Sequence, residues 1–168
     1  MKRKLWLAFF VVPALAFGLV SDVAAGEGGG QQSGNVQNFT AVLSGANEVP
    51  IHHSGLAGTA RITINTSTSV LCWDLDYTTT QAVTAAHIHK GAAAVNGSVV
   101  FGFFNPPLQR PGVVINEGCR SASPAEVAVI RDIANHPGNY YANVHTTTYP
   151  GGAARGQLTT NSDDEGSE

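Results

Sequence analysis

Gly58-Thr59-Ala60-Arg61-Ile62-Thr63-Ile64-Asn65 alternates apolar and polar side chains at every step. Successive residues of a strand point to opposite faces, so Ala60, Ile62 and Ile64 face inward together while Thr59, Arg61 and Thr63 face out. Such a stretch predicts an antiparallel strand with a core on one side and water on the other. The pattern recurs on both sides of it. Residues 38–45 (NFTAVLSG) read as a strand with Phe39, Ala41 and Leu43 on one face. After the turn at Asn65-Thr66-Ser67-Thr68, residues 70–77 turn Leu71, Trp73, Leu75 and Tyr77 inward and Cys72, Asp74 and Asp76 outward. A strand around 84–90 and another over 98–104 follow, the second apolar on both faces and ended by Asn105-Pro106-Pro107. Residues 108–119 read as a loop with a short strand at Val113-Val114-Ile115. Residues 140–146 and 153–160 are the last two strands, separated by the turn Tyr149-Pro150-Gly151-Gly152. One helix is signalled, before the penultimate strand. Ser123-Pro124-Ala125-Glu126 has the form of a capping box, Val127, Ile130 and Ile133 follow at helical spacing, and Asn135-His136-Pro137-Gly138 stops it. Many short strands and one helix predict an all-β fold, an antiparallel sandwich or flattened barrel.

The chain has 168 residues and a formal net charge of −3. It opens with Lys2-Arg3-Lys4, an apolar run over 5–20 and Val23-Ala24-Ala25. Residues 1–25 therefore read as a signal peptide, an uncleaved anchor being the competing reading. The remaining ~140 residues suffice for one domain. Residues 26–37, rich in glycine, are expected to be a disordered linker, and 161–168 (NSDDEGSE) a disordered acidic tail. The expected location is secreted, extracellular or periplasmic, with no stable membrane insertion after cleavage. No basic stripe offers a surface to nucleic acid. Cys72 and Cys119 would both enter an oxidising compartment, where a single disulfide is the economical reading and two free buried thiols the alternative.

Candidate chemistry centres on Thr84-Ala85-Ala86-His87-Ile88-His89-Lys90-Gly91. On a strand His87 and His89 project to the same face, roughly 6–7 Å apart at their bases, while Ile88 enters the core. Two imidazoles so placed can share one metal ion at about 2.0–2.1 Å each. Asn143-Val144-His145-Thr146 repeats the grammar with an outward His beside an inward Val, and makes His145 the third candidate ligand. For the His87/His89 pair the competing reading is an accident of composition, two half-exposed rings bonded to water. His52 or His53 would be a fourth ligand if their loop reached the site. His136 reads as a helix C-cap, and Asn143 and Thr146 as candidates for orienting His145.

Phe39 to Pro50 (FTAVLSGANEVP), Ala86-His87-Ile88-His89, 141–145, and Pro150-Gly151-Gly152 through Arg155-Gly156-Gln157-Leu158 resemble the CHRD domain, named after chordin and common in secreted bacterial proteins. The resemblance covers about residues 38–160. Two departures stand out: Ile51-His52-His53 where a second proline is usual, and Ala153-Ala154 before Arg155. The order of an HxH strand, a later single-His strand, a Gly-Gly turn and an Arg is also similar to the copper-zinc superoxide dismutase barrel. That likeness implies a Greek-key barrel, one copper ion on His87, His89 and His145, and Arg155 as a receiver for a small anion such as superoxide. The zinc half has no counterpart, because 90–97 carries no His, Asp or Glu, so no zinc site is expected. For Arg155 the alternative is an ion pair with Glu48 or Asp76. Two functions follow: a secreted protein binding a single copper ion, with or without dismutase activity, or a non-catalytic extracellular interaction module with no metal. No Ser sits in a nucleophile-elbow context, so a hydrolase lacks support.

Overall fold

In a computed structural model, residues 35–104 and 111–161 are described; the expected leader (1–25), residues 26–34 of the expected linker and the tail beyond Asn161 lie outside them. The described residues form β1 Val36–Ser44, β2 Ala57–Asn65, β3 Val70–Thr79, β4 Val83–Lys90, β5 Ser98–Phe104, β6 Gly112–Ser121, β7 Tyr140–Thr146, β8 Ala154–Gln157 and β9 Thr159–Thr160. One helix, α1 Val127–Asn135, precedes β7. β1 starts at Val36, inside the segment expected to be linker, and pairs with β2 from that residue. All pairings are antiparallel, in the order β5-β4-β7-β8-β1-β2-β3-β6, with β9 joined to β1. The strands wrap into a nearly closed barrel, and the non-consecutive neighbours β3/β6 and β4/β7 make it a Greek key. Its interior is built from the inward residues of the alternating strands, among them Phe39, Leu43, Ile62, Ile64, Leu71, Leu75, Ile88 and Val144.

β6 contains the short strand expected at Val113-Val114-Ile115 and extends it to Ser121, where a loop was expected up to Cys119. It is ten residues long and pairs with β3 along its whole length, from Thr79↔Gly112 to Val70↔Ser121. Its pattern was hidden because Asn116, Gly118 and Arg120 occupy the face it shares with Trp73, while Val113 and Ile115 are exposed. Each polar position has a partner. Asn116 accepts a hydrogen bond from Trp73 Nε1 at 2.9 Å. Gly118 leaves room for the indole, since a Cβ there would lie 2.5 Å from Trp73 Cζ2. The same pairing places Cys72 opposite Cys119, and the two form a disulfide with Cα atoms 4.0 Å apart. The last expected strand is broken into β8 and β9 at Leu158, which is buried and donates its N–H to Tyr140.

Arg120 links the two ends of the sheet. From β6 its guanidinium lies 3.6 Å from the Phe101 ring centroid of β5, its Nε donates to the Gly102 carbonyl at 3.1 Å, and its Nη atoms hold Glu126 at 2.6 and 2.9 Å. Glu126 also accepts from the Ser123 N–H at 2.8 Å, the glutamate half of the expected capping box. Arg120→Ala should lower the stability of the domain by about 2 kcal/mol, because a half-buried cation–π contact and a partly screened ion pair are lost together. Urea unfolding of the variant checks this; an unchanged midpoint would mean the seam holds without it. At the other end of α1, Asp132 takes Lys90 Nζ (3.0 Å), His136 Nδ1 (2.9 Å) and the Tyr140 hydroxyl, fastening the helix to β4 and β7.

Candidate metal centre

β4 lies between β5 and β7, so its outward face is flanked by strands on both sides. Ala86 and Ile88 enter the core, which turns His87 and His89 outward. The register places Asn143 opposite His87 and Tyr141 opposite His89, with His145 further along β7 opposite Ala85. Every residue of β7 is buried, including its outward Tyr141, Asn143 and His145. Hydrogen bonds show what covers them. His89 Nδ1 and the Tyr141 hydroxyl both engage Gly97, at 3.0 and 3.1 Å, and His145 Nδ1 engages the Pro150 carbonyl at 3.0 Å.

The three imidazoles converge. Ring centroids are 4.9 Å (His87–His145), 5.6 Å (His89–His145) and 5.8 Å (His87–His89) apart, and one nitrogen from each lies within 4.8 Å of the other two. His89 and His145 are 7% and 8% exposed, and His87 is half-buried. A carbonyl oxygen can only accept, so Nδ1 of His89 and of His145 must carry the proton, leaving Nε2 of each as a bare lone pair. Those two Nε2 atoms, with His87 Nδ1, are buried and have no hydrogen-bond partner. An ion bound at 2.0–2.1 Å allows its ligand nitrogens to be at most about 4.2 Å apart, so small ring rotations close the site. Backbone carbonyls that fix ligand tautomers in this way are the usual outer support of histidine metal sites.

Burial disfavours the protonated form of all three rings. Burial, with the nearby His145 and His89, pushes His87 down to about 4. Burial also lowers His89, against the Gly97 carbonyl and with help from His145 and Arg155. It lowers His145 too, where the Pro150 carbonyl and Glu48 oppose it and Arg155 adds to it. A depressed histidine costs nothing above its unfolded pKa of ~6.5, where both states are neutral. Below that the unfolded chain takes up protons that the folded one refuses. Metal-free protein should therefore lose stability steadily as pH falls from ~6.5 to 4.5, before the Glu126 carboxyl, held at about 2 chiefly by Arg120, begins to contribute. Urea midpoints across that range check it, and a flat profile would contradict buried neutral rings.

Arg155 stands one strand beyond β7, opposite Asn143. It is 4% exposed and all three guanidinium nitrogens are engaged: Nε and Nη2 reach Glu48 Oε2 at 2.8 Å, Nη2 also donates to Asn96 Oδ1, and Nη1 donates to the Val95 carbonyl at 3.1 Å. It also packs 4.4 Å from the Tyr141 ring centroid, and Tyr141 stacks on His89 at 4.9 Å. Of the two ion pairs weighed for it, the one with Glu48 forms; Asp76 is exposed on β3. His52 is not in the cluster: its Nε2 donates to the Gly152 carbonyl at 2.8 Å and its ring stacks on Tyr149, while His53 is exposed. Thr146 bonds Gln81 and the Tyr149 N–H, holding the turn after β7 rather than His145 itself. The carbonyls of Gly97 and Pro150 left no mark in the sequence, because any residue supplies a carbonyl.

A family model for the CHRD domain matches residues 39–158, nearly the whole described barrel. The chain belongs to the CHRD domain family. No curated protein matches the sequence. The CHRD domain of this chain thus carries its three-histidine cluster on the outward face of β4 and β7, and its disulfide between β3 and β6. Among the described residues no helix is long and apolar enough to cross a membrane.

Proposed function

We propose that this chain is an exported CHRD-domain protein that binds one metal ion, copper by preference, through His87, His89 and His145. The observation that carries this reading is that each of the three imidazoles offers a nitrogen within 4.8 Å of the other two, and each ring has a buried nitrogen with no hydrogen-bond partner. An unsatisfied buried polar atom costs about 1–3 kcal/mol, so three together call for an occupant. Nε2 of His89 and of His145 offers a lone pair, and His87 Nδ1 does so in one of its two neutral tautomers; a cation satisfies all three at once. Imidazole donors alone suit several metals, and for a given nitrogen site copper(II) stands at the top of the divalent series. The disulfide takes both cysteines out of contention as thiolates and supports export to an oxidising compartment. Copper would supply one-electron chemistry at the site. Superoxide turnover is the finer part of the proposal, and it requires Arg155 to present charge to the anion although Glu48 holds it.

Metal analysis of untagged protein after reconstitution with copper or zinc tests the binding; one copper per chain is expected, and sub-stoichiometric amounts of both metals would reject it. Superoxide loss measured for the wild type and Arg155→Ala then separates catalysis from binding, since equal, negligible rates leave binding alone. The alternative, a non-catalytic interaction module, draws on a groove of about 580 Å³ between residues 46–51 and Ala93-Ala94 that none of the three histidines lines. It predicts that no metal is retained.

A further inference from the structure

Glu48 is buried, 3% exposed, on a surface loop. Arg155 takes only one of its carboxylate oxygens; Oε1 is buried and has no partner. A Cβ on Gly152 would stand 2.8 and 2.9 Å from the two carboxylate oxygens and 2.6 Å from Asn143 Nδ2. Gly152, at φ +140°, follows Pro150, whose carbonyl holds His145. Asn143 is in turn opposite His87 on one side and Arg155 on the other. Adjacent strands lie about 4.8 Å apart, so the carboxylate and the guanidinium, 3% and 4% exposed, are within one or two strand widths of the histidines. At that range and low effective dielectric a unit charge acts strongly on a divalent ion.

We infer that Glu48 is the counter-charge of the metal site, a positioning residue that offsets the charge of a divalent ion, and that Arg155 opposes the same ion. This rests on the metal-binding reading above. Three neutral imidazoles add no charge of their own, so the buried pair sets the local field. The two halves of the pair then act with opposite sign on the metal, whereas two residues that merely hold the loop would act with the same sign. Glu48 also bears on which copper state is preferred, because copper(II) feels each neighbouring charge more than copper(I).

The test is competition titration with Cu²⁺ at neutral pH for the wild type, Glu48→Gln, Arg155→Gln and the double variant, with the reduction potential of the copper-loaded forms as second readout. Glu48→Gln should weaken Cu²⁺ binding by about tenfold or more and raise the potential. Arg155→Gln should tighten binding and lower the potential, and the double variant should return to within about threefold of wild type. Two single variants that both weaken binding, with no opposite movement of the potential, would overturn the inference while leaving the metal site intact. A wild type that takes up neither Cu²⁺ nor Zn²⁺ would overturn both. If Glu48→Gln does not fold, Glu48→Asp decides: retention of Cu²⁺ affinity supports a charge role, and loss of about tenfold or more contradicts it.

Discussion

His89→Ala and His145→Ala should each lower the copper(II) affinity of the chain by about a hundredfold or more, and stoichiometric loading should vanish. Outer partners of metal ligands already cost 10–100-fold when removed, and these rings are ligands themselves in the proposed site. Each also ends in an oriented lone pair, because Gly97 and Pro150 hold the opposite nitrogen. His87→Ala should follow them, with less effect on the fold because that ring is half-buried. His136→Ala is the control: its ring is exposed at the C-cap of α1 and bonds Asp132. Copper competition titrations and metal analysis on the four variants check the set. Unchanged loading in His145→Ala would remove the site, since two adjacent histidines on a strand do not close around an ion without a third donor.

The second large effect is on stability. Replacing Cys72 and Cys119 together by serine should cost about 4 kcal/mol, because the bond closes a loop with a sequence separation of 47 residues. In thermal unfolding that corresponds to a Tm lower by about 15 °C for a domain of this size. The closed loop contains β4 and β5, so two of the three candidate ligands lie inside it. The bond also secures β6, whose inward face is too polar to be held by burial alone. A serine pair that unfolds at the wild-type midpoint would show that the β3–β6 ladder suffices.

Different parts of this protein were legible in the sequence to different degrees, for physical reasons. β2 was plain because Ala60, Ile62 and Ile64 alternate with threonine and arginine. The convergence of His87, His89 and His145 was legible from parity, since Ile88 and Val144 had to face the core and the histidines therefore could not. β6 was not, because its inward positions are an indole's hydrogen-bond partner, a glycine under that indole and an arginine at the seam. Nor was the cover over the site. Periodicity says which way a ring faces, not whether Gly97, Pro150 and Glu48 will be folded down over it. Arg155 was open between an anion and an acid for the same reason, as its partner comes from a loop more than a hundred residues away in the chain.

Of the two tryptophans in the chain, Trp73 is the one within the barrel. Its indole faces Gly118, one residue along from the cystine, touches Phe103 across the gap, and donates to Asn116. The domain therefore carries its own fluorescent reporter at the place where the sheet ends meet. Opening of that junction, whether by reducing the cystine or by loosening β5, would be read as a shift in emission wavelength without any added label.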